Sequence, residues 1–332
     1  MATNIPDDRL YEYAHKVRGQ TVVITGAAKG IGRETALVFA QHGANVVIGD
    51  VDVAGAEDVV ASIKKNGGEA ISQKCDVLEY EQLVQLIERA LTKYGRIDAI
   101  VANAGVSEIG KLTSVQLNEQ GLPMKPNLKT LQINLISVLH TTQLAFHYFT
   151  KNKNKDSLKA LVLLGSMASI LGVPGAPLYG ASKHALIGLM RSIREDFALR
   201  GLRVATICPF FADTAIVPPA VKVFMAGIPL VPVPRIAGAI LLAATDEAPE
   251  SNGAAYTLPD DREVFRIPPV QINEGVYKML NDRVKRLKSV GRSVITIATL
   301  VKLAVRSPLT KLLVGAVVGY KAYQIALARG LM

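Results

Sequence analysis

The amino-acid sequence predicts an α/β fold: a doubly wound parallel sheet in a single domain, with a helical extension at the C-terminus. Three observations predict it. Short apolar runs rich in Val and Ile alternate with longer stretches of helical periodicity, which is the pattern of βαβ units. Hydrophobic residues make up 49% of the chain, aromatics only 5%, and tryptophan is absent; this suits aliphatic strands covered by helices on both faces. The first apolar run ends in a glycine-rich turn that opens a helix. The length of 332 residues fits one large domain with an appendage.

The elements follow in order. Residues 21–25 (TVVIT) are the first predicted strand, and a helix runs from about Ile31 to Gly43. Asn45–Gly49 is the second strand, ending at Asp50, and a helix follows to about Asn66. Ala70–Cys75 is a strand. Glu79–Tyr94 is a helix with Leu83, Leu86, Ile87, Ala90 and Leu91 on one face. Asp98–Ala102 is a strand, Leu131–Phe149 a helix and Ala160–Leu164 a strand. Tyr179–Leu199 is a helix and Arg203–Cys208 a strand. The crossovers are expected to be right-handed. Residues 1–17 read as an N-terminal extension without the apolar core of a signal peptide, 18–260 as the sheet domain, and 261–332 as a basic, amphipathic helical tail. Cys75 and Cys208 lie in apolar runs and read as small buried hydrophobes. Two cysteines make neither a disulfide framework nor a zinc site, and no metal site is expected.

The turn after the first strand reads Thr25-Gly26-Ala27-Ala28-Lys29-Gly30-Ile31-Gly32. A strand, a glycine turn and a helix N-terminus together let backbone N–H groups approach a pyrophosphate that a Cβ would keep away. Asp50 ends the second strand. A carboxylate there accepts hydrogen bonds from ribose hydroxyls and repels a 2′-phosphate. The reading is a Rossmann-like dinucleotide site that prefers NAD to NADP. Lys29 and Arg33 are the basic groups near the turn that pull the other way.

Further residues complete a set: Asp76 after the third strand, Asn103-Ala104-Gly105 after the fourth, Asn134 in a helix, Ser166 after the fifth strand, and Tyr179-Gly-Ala-Ser-Lys183 at the start of a helix. Tyr179 and Lys183, four apart on a helix, share a face. In this combination the sequence closely resembles the short-chain dehydrogenase/reductase family over about residues 18–260. The resemblance implies that Gly26, Gly30, Ile31 and Gly32 line the pyrophosphate, Asp50 the ribose, and Asp76 and Val77 the adenine. It implies that Asn103 and Gly105 support the central sheet and the cofactor, and Lys29, Tyr179, Lys183, Pro209 and Thr214 are counted with the cofactor-binding residues. Tyr179 becomes the acid/base, Ser166 holds the substrate oxygen, Lys183 holds the nicotinamide ribose, and Asn134 positions a water that links Lys183 to solvent. A free tyrosine has a pKa of about 10, too high for a base at neutral pH. Lys183 and the nicotinamide charge are expected to lower it. Pro209 and Thr214 match the family pattern after the sixth strand, but Phe210 stands where the family has glycine. Family members are commonly homodimers or homotetramers.

Residues 216–225 are almost wholly apolar (Ile216, Val217, Pro218, Pro219, Val221, Val223, Phe224, Met225) with Lys222 the exception. By resemblance they cover the active site, and an apolar cover points to a small lipophilic alcohol or ketone; packing on the body or on a partner subunit is the other reading. The net charge of +10 is local: residues 283–332 hold ten Lys/Arg and no Asp or Glu. This argues for a local anionic partner and gives no nucleic-acid footprint. The uncharged runs 293–301 and 312–320 are too short to span a bilayer. On a helix the tail's charges form a narrow basic face, as in helices that lie in a membrane interface; a helix pair docked on a partner or on the body is the alternative. The resulting expectation is an intracellular, NAD-linked dehydrogenase of a lipophilic secondary alcohol, held at a membrane or lipid surface facing the cytosol. The alternatives are an NADPH-dependent ketoreductase of lipid or secondary-metabolite biosynthesis and, in another class, a catalytically idle membrane-bound scaffold. The intact Ser166, Tyr179 and Lys183 argue against the last.

Overall fold

The computed structural model describes residues 2–110, 112–214, 225–261 and 263–269, with isolated positions between 276 and 321. The chain divides into two compact units, Met1–Pro269 and Val270–Met332. The first holds a nine-stranded sheet. Its strands are β1 (Thr3–Ile5), β2 (Thr21–Thr25), β3 (Asn45–Asp50), β4 (Glu69–Lys74), β5 (Ala99–Ala102), β6 (Ala160–Leu164), β7 (Arg203–Pro209), β8 (Ala255–Leu258) and β9 (Val264–Ile267). Their spatial order is β1-β9-β8-β7-β6-β5-β2-β3-β4. From β8 through to β4 all neighbours are parallel, while β9 pairs antiparallel with both β8 and β1.

Both faces of the central strands are buried, as their unbroken apolar sequence requires. On one face Val22, Ile24 and Ile48 pack with α1 (Gly30–Gln41), α2 (Val53–Lys65) and a later helix, Val233–Thr245. On the other, Val23, Ile100 and Leu163 pack with α3 (Tyr80–Tyr94) and with helices Ser137–Lys151 and Pro177–Ala198. The strand order reverses between β2 and β5, and in open α/β sheets ligands bind outside the carboxyl ends of the strands at such a switch point.

The elements depart from the sequence expectation at both ends. Residues 3–5, expected as part of an extension, form β1, and Val264–Ile267, expected as the start of the tail, form β9. The register pairs Thr3 with Arg266 and Ile5 with Val264, so the edge strand β1 is held by β9, which also pairs with β8. The helix expected to run unbroken from Leu131 is in three parts: α4 (Lys129–Leu131), a π-helical turn (Gln132–Ile136) and α5 (Ser137–Lys151). Next, α6 (Pro177–Ala198) starts at a proline in the first turn, where the missing N–H costs nothing. The last described helix of the first unit, α7 (Val233–Thr245), was not expected; Ile236 through Thr245 are all buried, so it has no polar face to give a periodic signal.

In the second unit, isolated positions such as Val276, Met279 and Tyr320 are helical and exposed. The paired amphipathic helices expected in residues 283–332 fall almost wholly outside the described residues, as do positions 216–224 of the apolar cover. Among the described residues, no helix is long and apolar enough to cross a membrane.

Candidate active site

A cleft of about 530 Å³ opens at the carboxyl ends of β2, β3 and β5. Gly26, Lys29, Gly30, Ile31, Gly32, Asp50, Asp76, Val77, Asn103, Gly105 and Thr214 all line it. The glycines serve different contacts. Gly26 has φ +69°, and a Cβ there would lie 2.7 Å from Ala104 Cα. A Cβ on Gly32 would lie 2.3 Å from Gly26 O and 2.4 Å from Asn103 Nδ2. These two let the turn and α1 close onto the loop after β5. Gly30, with φ +60°, faces Thr214, whose Cγ2 would be 3.5 Å from an added Cβ. Asn103 Nδ2 donates to Thr25 O at 2.9 Å and to Gly26 O at 2.7 Å, which pins the turn to the β5 side. Asn103 Oδ1 is buried without a partner.

Asp50, the last residue of β3, lines the cleft. Its carboxylate accepts from Ala28 N and from Asp52 N, each at 2.9 Å. It therefore holds the glycine turn as well as offering negative charge. Asp76 Oδ1 accepts from Leu78 N at 3.0 Å. Lys29 is exposed at the N-cap of α1 and lines the cleft, whereas Arg33 is exposed and does not line it. Cys75 lines the cleft too, and burial pushes its thiol pKa up to about 12, so it is uncharged. The glycine turn, the carboxylate at the second strand and the cleft's volume fit an extended dinucleotide.

The second group lies past β6. Ser166 follows the strand and caps a short turn, its Oγ accepting from Ala168 N at 3.1 Å. Its hydroxyl favours the charged form of the neighbouring Tyr179 phenol. Lys183 is 5% exposed; its Nζ donates to Leu164 O at 2.7 Å and stands 5.7 Å from the centre of the Tyr179 ring. Asn134 is buried in the π-helical turn. Its Oδ1 accepts from Val106 N at 2.8 Å, and its Nδ2 donates to Val106 O at 2.9 Å and to Ser182 Oγ at 3.3 Å. A Cβ on Gly105 would lie 3.3 Å from Asn134 Oδ1 and 3.7 Å from Lys183 Nζ, so the glycine keeps a gap open between them.

The expectation of a lowered Tyr179 pKa counts the charge of a bound nicotinamide together with that of Lys183. In the chain by itself, burial raises the Tyr179 pKa, and the neighbouring Ser166 hydroxyl only partly offsets it. The phenol is neutral at rest, because its own burial disfavours the charged form; Lys183 is desolvated too, and its pKa drops to about 8. Such a lysine burdens the fold. Its folded pKa lies below the unfolded value, so the unfolded chain binds more protons between the two, and stability rises with pH across that window. Lys183→Met is therefore expected to be more stable than the parent by on the order of 3 kcal/mol at pH 7, with the gap closing above pH 8. Thermal unfolding across pH 7–10 checks this, and a constant gap contradicts it.

Pro209 ends β7 and is buried, outside the cleft lining. Phe210 N donates to Leu258 O at 2.8 Å, which extends the pairing of β7 and β8, and its ring meets Phe211 edge-on at 5.0 Å. Phe210 does not have a positive φ, so this backbone path does not need glycine.

Sequence reasoning missed Glu108. Helix α6 has Ala176 at its N-cap and no capping side chain of its own. Glu108, on the loop after β5, supplies the acceptors: Oε2 takes Tyr179 N at 2.6 Å and Oε1 takes Leu178 N at 3.2 Å. The carboxylate also suits the positive end of the helix dipole. Losing a cap of this kind costs about 1 kcal/mol. Glu108→Ala should lose that much in denaturant unfolding, and Glu108→Gln, which keeps one acceptor, should lose less. Val51, Asp52, Val106, Ser107, Ile109, Ile133 and Leu164 also line the cleft without having been anticipated.

Comparisons with known proteins agree on one family. A model of the short chain dehydrogenases matches residues 20–222. The 3-oxoacyl-(acyl-carrier-protein) reductase FabG of Thermotoga maritima is 32% identical over 199 residues, covering 60% of this chain and 76% of that protein. Human 15-hydroxyprostaglandin dehydrogenase (NAD+) is 32% identical over 204 residues, covering 60% of this chain and 71% of that protein. The crystal structure of 3-ketoacyl-(acyl-carrier-protein) reductase from Brucella melitensis, complexed with NADH, superposes with a TM-score of 0.64 at 25% identity, over 74% of this chain and 98% of that one. Agreement of this extent settles the family: the chain belongs to the short chain dehydrogenases, oxidoreductases that bind a nicotinamide cofactor and act on alcohol and keto groups.

Proposed function

We propose that the protein is an NAD-linked dehydrogenase of a lipophilic secondary alcohol, with Tyr179 as its acid/base. The observation that carries this reading is one juxtaposition: Ser166 and the Tyr179 phenol are neighbours with Lys183 buried 5.7 Å from the ring centre, next to a cleft lined by the glycine turn and Asp50.

Gly26, Gly30, Ile31 and Gly32 would hold the pyrophosphate, Asp50 the adenosine ribose, Asp76 and Val77 the adenine, and Lys183 and Thr214 the nicotinamide end. When bound, the cofactor takes up or gives back a hydride. In oxidation the substrate O–H breaks, its proton passes to Tyr179 Oη, the carbinol hydrogen leaves as hydride, and a C=O forms. Ser166 fixes the substrate oxygen within reach of Tyr179. Buried positive charge at Lys183 favours the phenolate that oxidation needs, and the neutral resting phenol is the ready donor for reduction. The gap between Asn134 Oδ1 and Lys183 Nζ supports a water there, through which a proton leaves the site.

The choice of NAD rests on Asp50, because a 2′-phosphate beside that carboxylate is repelled. A named NAD+ relative and a relative solved with NADH support it. The apolar composition of residues 216–225 supports a lipophilic substrate. The basic tail, residues 283–332, is proposed to meet an anionic membrane surface on the cytosolic side, and a homodimer or homotetramer is proposed from the family. The test is a screen of lipophilic secondary alcohols with NAD+, read at the reduced-nicotinamide absorbance, beside Kd values for both reduced cofactors. Tighter binding of NADPH overturns the NAD assignment and favours the ketoreductase reading.

A further inference from the structure

The strands β5, β6 and β7 are parallel neighbours, so the loops that follow them leave the sheet at one edge, the edge that holds Ser166 and Tyr179. Exposed apolar residues gather there. Of the fourteen large apolar side chains exposed among the described residues up to 269, eight lie on these three loops. Such concentration on one rim marks an interaction surface.

Its leading part is a small hairpin between β5 and α4. Met124 N donates to Gln116 O at 2.7 Å and Asn118 N to Leu122 O at 2.9 Å. Asn118 Oδ1 closes the turn on Gln120 N and Leu122 N, and Gly121 takes φ +73°. Leu117 stands opposite Pro123, so side-chain alternation puts Val115 and Leu117 on one face and Leu122 and Met124 on the other. Val115, Leu117, Leu122 and Met124 are 64%, 59%, 61% and 52% exposed. A loop packed on its own body hides one face. This one leaves both faces apolar and uncovered. Ile170 and Leu171 after β6, and Ile228 after β7, continue the exposed rim.

A protein partner lying against one face would leave the other in water, whereas the boundary between lipid headgroups and acyl chains surrounds both. The charges point the same way. Residues 109–130 carry Lys111, Lys125 and Lys129 against one acid, Glu119, and lysines beside an apolar tip can keep their stems in the apolar layer while the ammonium groups meet anionic headgroups. We propose that this rim, led by the hairpin 115–124, inserts into an anionic lipid surface and turns the substrate entrance toward it. The inference rests on the proposed site at this edge, and it gives a lipophilic alcohol a route from the bilayer into the cleft without crossing water.

The chain has no tryptophan, so a single introduced one reports alone. Leu122→Trp in the full-length protein, mixed with phosphatidylserine/phosphatidylcholine vesicles, is expected to shift its emission to shorter wavelength and to be quenched by lipids brominated on the acyl chains. Met124→Trp is a second reporter should the first disturb the turn. Leu199→Trp, at the opposite edge of the sheet, is expected not to respond. If the protein sediments with vesicles while the Trp at 122 or 124 stays in water, another segment binds the membrane and the proposal fails. A shift that needs no vesicles and grows with protein concentration assigns the rim to a second copy of the chain and also overturns it. Lipid binding does not depend on turnover, so a response that persists in Tyr179→Phe separates this inference from the catalytic one.

Discussion

Tyr179→Phe is expected to lower kcat for alcohol oxidation by about a hundred- to ten-thousand-fold, the range that general acid–base groups contribute. In barrier height this is about 3–5 kcal/mol. The substitution deletes one oxygen and keeps the ring, so the packing of α6 against the loop after β6 should survive. Cofactor affinity should change little, because the glycine turn and Asp50 are untouched. The remaining hydroxyl, on Ser166, is too weak a base to replace the phenol. Unchanged turnover with a good substrate would remove Tyr179 from the mechanism, and a collapse of cofactor binding would assign it a structural part instead. The parent enzyme should lose oxidation activity on the acid side, since burial holds the phenol protonated and the base form is what oxidation uses.

Gly32→Ala is expected to have the largest effect on the cofactor site. An added Cβ would sit 2.3 Å from Gly26 O and 2.4 Å from Asn103 Nδ2. Neither neighbour is free to move. Gly26 O accepts from the Asn103 amide, and that amide also ties down Thr25 O. The strain must push α1 away from the loop after β5, and overpacking of this kind costs about 1–3 kcal/mol. Dinucleotide binding should fall at least about tenfold, which equals 1.4 kcal/mol, because the turn's N–H groups no longer converge. Calorimetry with NADH and thermal unfolding test both parts. Gly30→Ala is the contrasting variant: its Cβ meets only Thr214, at 3.5 Å, so its loss should come from the positive φ of residue 30 and from the narrowed cleft.

What the sequence showed and what it hid follow from chain distance. The glycine turn, Asp50 and the pair Tyr179/Lys183 are local patterns, and the structure brings each to the cleft or beside it. Glu108 was hidden because its partners, Leu178 and Tyr179, lie on a different element and nothing in the local sequence marks the contact. The strands β1, β8 and β9 have three or four residues each, too few for an alternation to register. Helix α7 is apolar all round and so lacks a helical period. The lowered Tyr179 pKa is expected with the nicotinamide bound; in the chain by itself burial raises it, a desolvation that the local sequence pattern does not display.

The pairing of β1 with β9 has a consequence for how the protein is made. Among the described strands β1 pairs with β9 alone, and some 260 residues of chain must be synthesised between the two. A nascent chain therefore carries β1 unpaired until β9 has been made. Contacts of such sequence separation close late and slow the final step of assembly. Ending the chain before Val264 strands two edges at once, β1 and β8, and unpaired edges invite association with other chains. The same neighbourhood of the two ends makes the unit a good candidate for circular permutation, with new termini placed in an exposed loop.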